Sequence, residues 1–192
     1  MFVTTDPGVA AAVRRLRAFG VDRSYQERTV PGLYDTLSLG LNYRLSEMQA
    51  ALGCGQVQRL TENLARRRQN YTELQQRLAS LEGIRVLAPA DARAQSSYYC
   101  LSFVLEASLA VRREHIVARL NAAGVGTSIY YPHPVPRLHY YRQKYGYQAQ
   151  QFPVAAAISD RSIALPVGPH LHPADMAYIG DTIATILREE AL

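Results

Sequence analysis

Apolar residues recur at helical spacing through residues 46–81, SEMQAALGCGQVQRLTENLARRRQNYTELQQRLASL. Leu60, Leu64, Tyr71, Leu74, Leu78 and Leu81 follow at steps of four, seven, three, four and three, which places them on one face of a helix. Ser46 and Gln49 have the S-x-x-Q spacing of a capping box, no proline interrupts the run, and Gly83 stands just past its last apolar residue. The pattern predicts one long helix over 46–81. Gly53 and Gly55 weaken it by about 1 kcal/mol each relative to alanine, and close packing against another backbone is the simplest reason to keep them.

The flanking pattern is shorter in period. Residues 1–5 predict a strand, and Asp6-Pro7 caps a helix carrying Val9, Val13 and Leu16 and ending near Gly20. Residues 21–39 have no period, and Pro31-Gly32 marks them as loop. Residues 84–87 predict a strand broken by Pro89, followed by a polar loop over 88–96. Residues 98–105, YYCLSFVL, predict the clearest strand. A helix over 112–123 with Ile116, Val117 and Leu120 inward, a strand over 125–131 and a further strand over 162–165 complete a strand–helix–strand α/β pattern. Pro173 starts a last helix with Met176, Ile179, Ile183 and Ile186 on its buried side.

Composition narrows the classes. The chain has 192 residues and an ordinary 48% apolar content, with no run near the ~18 apolar residues of a membrane span. No secretory leader is visible in MFVTTD, and Cys54 and Cys100 are too few for a disulfide framework, so a cytoplasmic location is expected. The net charge of +5 is carried by arginine, because Lys144 is the only lysine. The run Arg66-Arg67-Arg68 has three readings: a nucleic-acid contact, a solvated helix face, or cations for a diphosphate. The solvated face is the simplest, and no nucleic-acid-binding motif accompanies the run. His133, His139, His170 and His172 match no zinc spacing, so no metal is expected.

Residues 40–53, GLNYRLSEMQAALG, resemble the G-x-N-x-R-x-[ST/D]-E-x-Q-A-A segment of the DegT/StrS-type sugar aminotransferases. The likeness continues through 126–132 (GTSIYYP), 152–155 (FPVA) and 162–166 (SIALP), in the family's order. It implies the C-terminal part of a pyridoxal phosphate-dependent protein of the aspartate aminotransferase fold (fold type I). Residues 1–45 would be the end of the large cofactor-binding domain, 46–82 the long linking helix, and 83–192 a small α/β domain.

The resemblance also implies roles. Asn42 would reach across a homodimer to the phosphate of the neighbour's pyridoxal 5'-phosphate, with Arg44 beside it; from the residues alone, a loop-bracing Asx-turn and a surface arginine serve as well. Tyr130 and Tyr131 match a segment bordering the substrate pocket, although packed strand-end tyrosines would read the same way. Pro136 stands where many members have a histidine, so that histidine's role does not carry over. The family's Schiff-base lysine lies upstream of the matched segments, and Lys144 matches no such position. The expectation is therefore the C-terminal portion of a nucleotide-sugar aminotransferase that takes its amino group from glutamate, truncated and inactive alone. The alternative is a non-catalytic dimerisation or interaction module paired with an intact aminotransferase or a separate N-terminal half.

Overall fold

The structure is a computed structural model describing residues 2–22, 25–27, 29–87, 93–148 and 150–190. The chain divides into two units, Met1–Gln58 and Arg59–Leu192.

In the first unit, α1 spans Pro7–Leu16. Asp6 caps it as its sequence position demands, the carboxylate accepting from the N–H groups of Gly8 and Val9 at 2.7 and 3.1 Å. Residues 2–5 form no strand, contrary to the pattern, because nothing among the described residues pairs with them. A short 3-10 turn, Tyr25–Glu27, lies in the long loop. That loop is tied at two isolated antiparallel bridges, Ala18 with Asn42 and Val21 with Thr36. The two segments cross so closely that a Cβ on Gly40 would overlap the backbone of Phe19 and Gly20, so only glycine fits there. Helix α2, Glu47–Gln58, begins at the expected capping box. The Ser46 N–H donates to Gln49 Oε1 at 3.0 Å, and the Gln49 N–H donates to Ser46 Oγ at 3.3 Å.

The expected single helix is two. Arg59, at φ −94° and ψ 1°, leaves helical geometry, and α3 spans Leu60–Leu78. The weak helix formers Gly53 and Gly55 precede the break. A Cβ on either would meet nothing within 4 Å, so the close packing expected of them does not occur within this chain.

In the second unit, β1 (Ile84–Val86), β2 (Cys100–Leu105) and β3 (Ser162–Pro166) form an antiparallel sheet in the order β1-β2-β3. A 3-10 turn, Ala107–Arg112, leads into α4, Arg113–Ala122. A second, Val135–Arg137, precedes α5 (His139–Tyr145), then come α6 (Pro153–Arg161) and α7 (Pro173–Glu190). Leu101, Phe103 and Leu105 of β2 alternate into the core, where they meet Leu74 and Leu78 of α3, Ile116 and Leu120 of α4, and Met176 and Ile183 of α7. Helix α7 buries the face its spacing predicts.

Four expectations change. α3 ends at Leu78, before Gly83, because the Leu81 N–H turns back to the Leu78 carbonyl at 3.1 Å. Strand β2 starts two residues late, since Tyr98 takes a positive φ of 49° and packs its ring 5.2 Å from that of Tyr71. Residues 125–131 make no strand: Val125 drops into the core behind the Gly124 turn, and among the described residues only Ser128 pairs, with Ala164. The expected strand–helix–strand unit is thus replaced by antiparallel pairing. Finally, only the C-terminal half of the apolar stripe is buried; Tyr71, Leu74 and Leu78 are covered and Leu60 is not. Residues 88–92 of the expected loop, Pro89 among them, lie outside the described residues.

Candidate functional site

The segment 40–46 of the first unit carries Asn42 and Arg44. Its backbone is held by three hydrogen bonds to the end of α1 and the turn after it: Leu41 N–H to Leu16 O at 2.7 Å, Tyr43 N–H to Arg17 O at 2.9 Å, and Phe19 N–H to Leu41 O at 3.1 Å. The Asn42 side chain is exposed and has no hydrogen-bond partner among the described residues. The Arg44 guanidinium stacks over the Phe19 ring at 5.0 Å. An amide and a guanidinium are thus presented on a braced backbone, in the residues just before a capped helix start.

Tyr130 and Tyr131 belong to the second unit. Tyr130 lines a cleft of about 390 Å³ between the residues before β2, the segment 126–130 and the loop after β3; Tyr131 does not line it. The Tyr99 and Tyr130 hydroxyls lie 3.4 Å apart, with ring centroids at 6.0 Å. This hydrogen bond raises the Tyr99 phenol above the ordinary tyrosine value, so its hydroxyl keeps its proton at neutral pH. The Arg67 guanidinium sits 5.8 Å from the Tyr99 ring centroid.

The arginine run resolves residue by residue, because successive helical positions turn by about 100°. Arg66 pairs with Glu62 at 2.6 Å, Arg67 faces the cleft, and Arg68 lines a separate groove along α3. Asn70, Tyr99 and Gly168 escaped the sequence reading. The usable signal was Asn70, a polar residue one position before Tyr71 on the buried side of α3. Its amide donates to the carbonyls of Gly168 and Leu171, each at 3.0 Å, and so fastens the loop after β3 to the helix. The four histidines form no cluster fit for a metal among the described residues. Both cysteines are free.

The sequence profile of the DegT/DnrJ/EryC1/StrS aminotransferase family matches residues 1–184. The chain belongs to this family. A curated relative within it is the erythromycin biosynthesis sensory transduction protein EryC1 of Saccharopolyspora erythraea, 34% identical over 169 residues, with 88% of this chain and 42% of the relative covered. DesV of S. venezuelae, solved with a ketimine intermediate, superposes with a TM-score of 0.82 at 27% identity, covering 95% of this chain and 45% of that one. The Helicobacter pylori aminotransferase PseC, involved in pseudoaminic acid biosynthesis, superposes at 0.86 with 18% identity over 97% of this chain and 48% of its own, which bears on the fold alone. The chain spans about half the length of the curated relatives it matches.

DegT/DnrJ/EryC1/StrS aminotransferases use pyridoxal phosphate. The donors at Asn42 and Arg44 suit the phosphate end of that cofactor. Its carbonyl end calls for an amine, and the only lysine, Lys144, is engaged elsewhere on α5. Its ammonium donates to the Tyr140 hydroxyl at 3.2 Å and rests 5.4 Å from the ring centroids of both Tyr140 and Tyr145. The residues present therefore fit one end of the cofactor and not the other. No helix among the described residues is long and apolar enough to cross a membrane.

Proposed function

We propose that this chain is the C-terminal portion of a pyridoxal phosphate-dependent aminotransferase that moves an amino group from glutamate onto a keto-sugar nucleotide. When bound, the cofactor supplies the electron sink that amino transfer needs. This chain's part is to position: Asn42, with Arg44, holds the phosphate of a cofactor seated in a neighbouring subunit, and Tyr130 borders the substrate. One observation carries the reading: an exposed amide without a partner among the described residues, on a backbone braced by hydrogen bonds to α1 and followed at once by a capped helix start. A loop-bracing asparagine would spend its amide on the loop. The setting is the cytoplasm, which suits two free thiols.

The test is reconstitution with a family N-terminal half, in trans or fused, followed by titration with pyridoxal phosphate. Asn42→Ala is expected to weaken cofactor affinity by about 1–2 kcal/mol, roughly five- to thirtyfold, the loss of one hydrogen bond to a charged group. Unchanged affinity in a folded, reconstituted dimer would return Asn42 to a purely structural role.

A second reading, a non-catalytic dimerisation or interaction module, is favoured by one feature of the first unit. Neither α1 nor α2 buries a single residue within the chain. Such a unit suits a partner, be it an intact aminotransferase or a separate N-terminal half. Binding to that half without any transaminase turnover would select this reading.

A further inference from the structure

The cleft beside Tyr130 has a chemistry of its own. Among the described residues no carboxylate lines it, and its cation is Arg67. Arg67 has no acidic partner among the described residues, and its Nε is buried without a hydrogen-bond partner. Its neighbour Arg66, one residue earlier, is already paired to Glu62. Holding a partly buried guanidinium without a counter-ion is costly unless an anion arrives.

The rest of the wall is built rather than incidental. Asn70 is 2% exposed, and its two hydrogen bonds pin the loop bearing His170 to the helix that bears Arg67. His170 lies so close over Gly168 that a Cβ there would come within 2.5 Å of the imidazole. Glycine at 168 leaves the imidazole room to take this position in the cleft. The Tyr99 and Tyr130 hydroxyls also offer donors, and Thr127 and Ser128 belong to the lining. A volume of about 390 Å³ is in the range of small-molecule sites.

We propose that this cleft is a phosphate-binding pocket in which Arg67 pairs with the diphosphate of the nucleotide-sugar, flanked by the Tyr99 and Tyr130 hydroxyls and His170. The identity of the phosphate carrier rests on the substrate class proposed above; the phosphate chemistry does not. A guanidinium offers paired N–H donors to phosphate oxygens, and its rest on the Tyr99 ring orients that fork in advance.

Calorimetric titration of the full chain tests this, with inorganic pyrophosphate, UDP-glucose and L-glutamate as separate probes. Pyrophosphate and UDP-glucose should compete for one site, with affinity falling as salt is added. Arg67→Gln should weaken both by at least about tenfold, the value of one charge-assisted contact. Arg67→Lys should recover part of that loss, Tyr130→Phe should cost severalfold, and Arg68→Gln, outside the cleft, should change nothing. Circular dichroism confirms that each variant is folded. Equal binding by wild type and Arg67→Gln, or no binding of either phosphate probe, overturns the pocket. Displacement of pyrophosphate by glutamate at similar affinity would assign the cleft to a carboxylate and overturn its phosphate chemistry. Pyrophosphate binding through Arg67 with no binding of UDP-glucose keeps the phosphate pocket and removes the nucleotide-sugar. UDP-glucose bound equally well by Arg67→Gln removes the pocket and keeps that substrate.

Discussion

Glu190 shows how much one carboxylate can organise. Its side chain is 4% exposed and accepts from Arg112 Nη1 at 3.1 Å, His115 Nδ1 at 2.8 Å and Arg119 Nη1 at 3.2 Å. It thereby ties the end of α7 to the start and middle of α4. Hydrogen bonding from Arg112 holds its carboxyl below the usual carboxylate range; burial opposes this, and Arg119 and His115 reinforce it. Its contribution to stability is complete above the unfolded-chain pKa of about 4.3. As pH falls below that value the unfolded state takes up the proton first, and the contribution is lost on descending through the depressed folded value. Urea unfolding across acid pH should show stability falling in this window. Glu190→Gln should be less stable at neutral pH and should flatten the acid slope. An unchanged slope would place the acid sensitivity in other carboxylates. Nothing in the sequence around Glu190 marks it, because its three partners lie on α4 and the turn before it, more than seventy residues earlier in the chain.

At the scale of the element, caps were legible and interruptions were not. Asp6 and Ser46 act within three residues of themselves, so their roles follow from spacing alone. Ser46→Ala should loosen α2 by about 1 kcal/mol, read as faster amide exchange in Glu47–Gln58, with little change in α7. Equal exchange rates in the two proteins would mean the capping box contributes nothing. The break at Arg59 has no comparable mark, since no proline stands there and its helical period continues beyond. Likewise, residues 125–131 have the composition of a strand, but a strand needs a continuous partner edge, and only Ser128 finds one.

At the scale of the molecule, the two units differ in what they bury. The second closes a core among its own elements, while in the first the described buried residues are Gly20 and Val21. Met48, Leu52 and Val57 of α2 are all exposed in the chain. Apolar surface of this kind drives association, so sedimentation at about micromolar concentration should show dimers or larger species. Leu52→Glu should shift them toward monomer without altering the melting of the second unit. A wild-type monomer throughout would mean that this surface has no affinity for itself. The sequence alone determined the caps, the buried face of α7, the existence of β2 and the family, because each is written in neighbours a few residues apart or in short motifs. Only the tertiary structure decided which arginine of three faces the cleft, which half of the α3 stripe is covered, and that the strands pair antiparallel. Those outcomes depend on contacts between residues distant in the chain, such as Asn70 with Gly168, and on the geometry of packing, which local pattern does not encode.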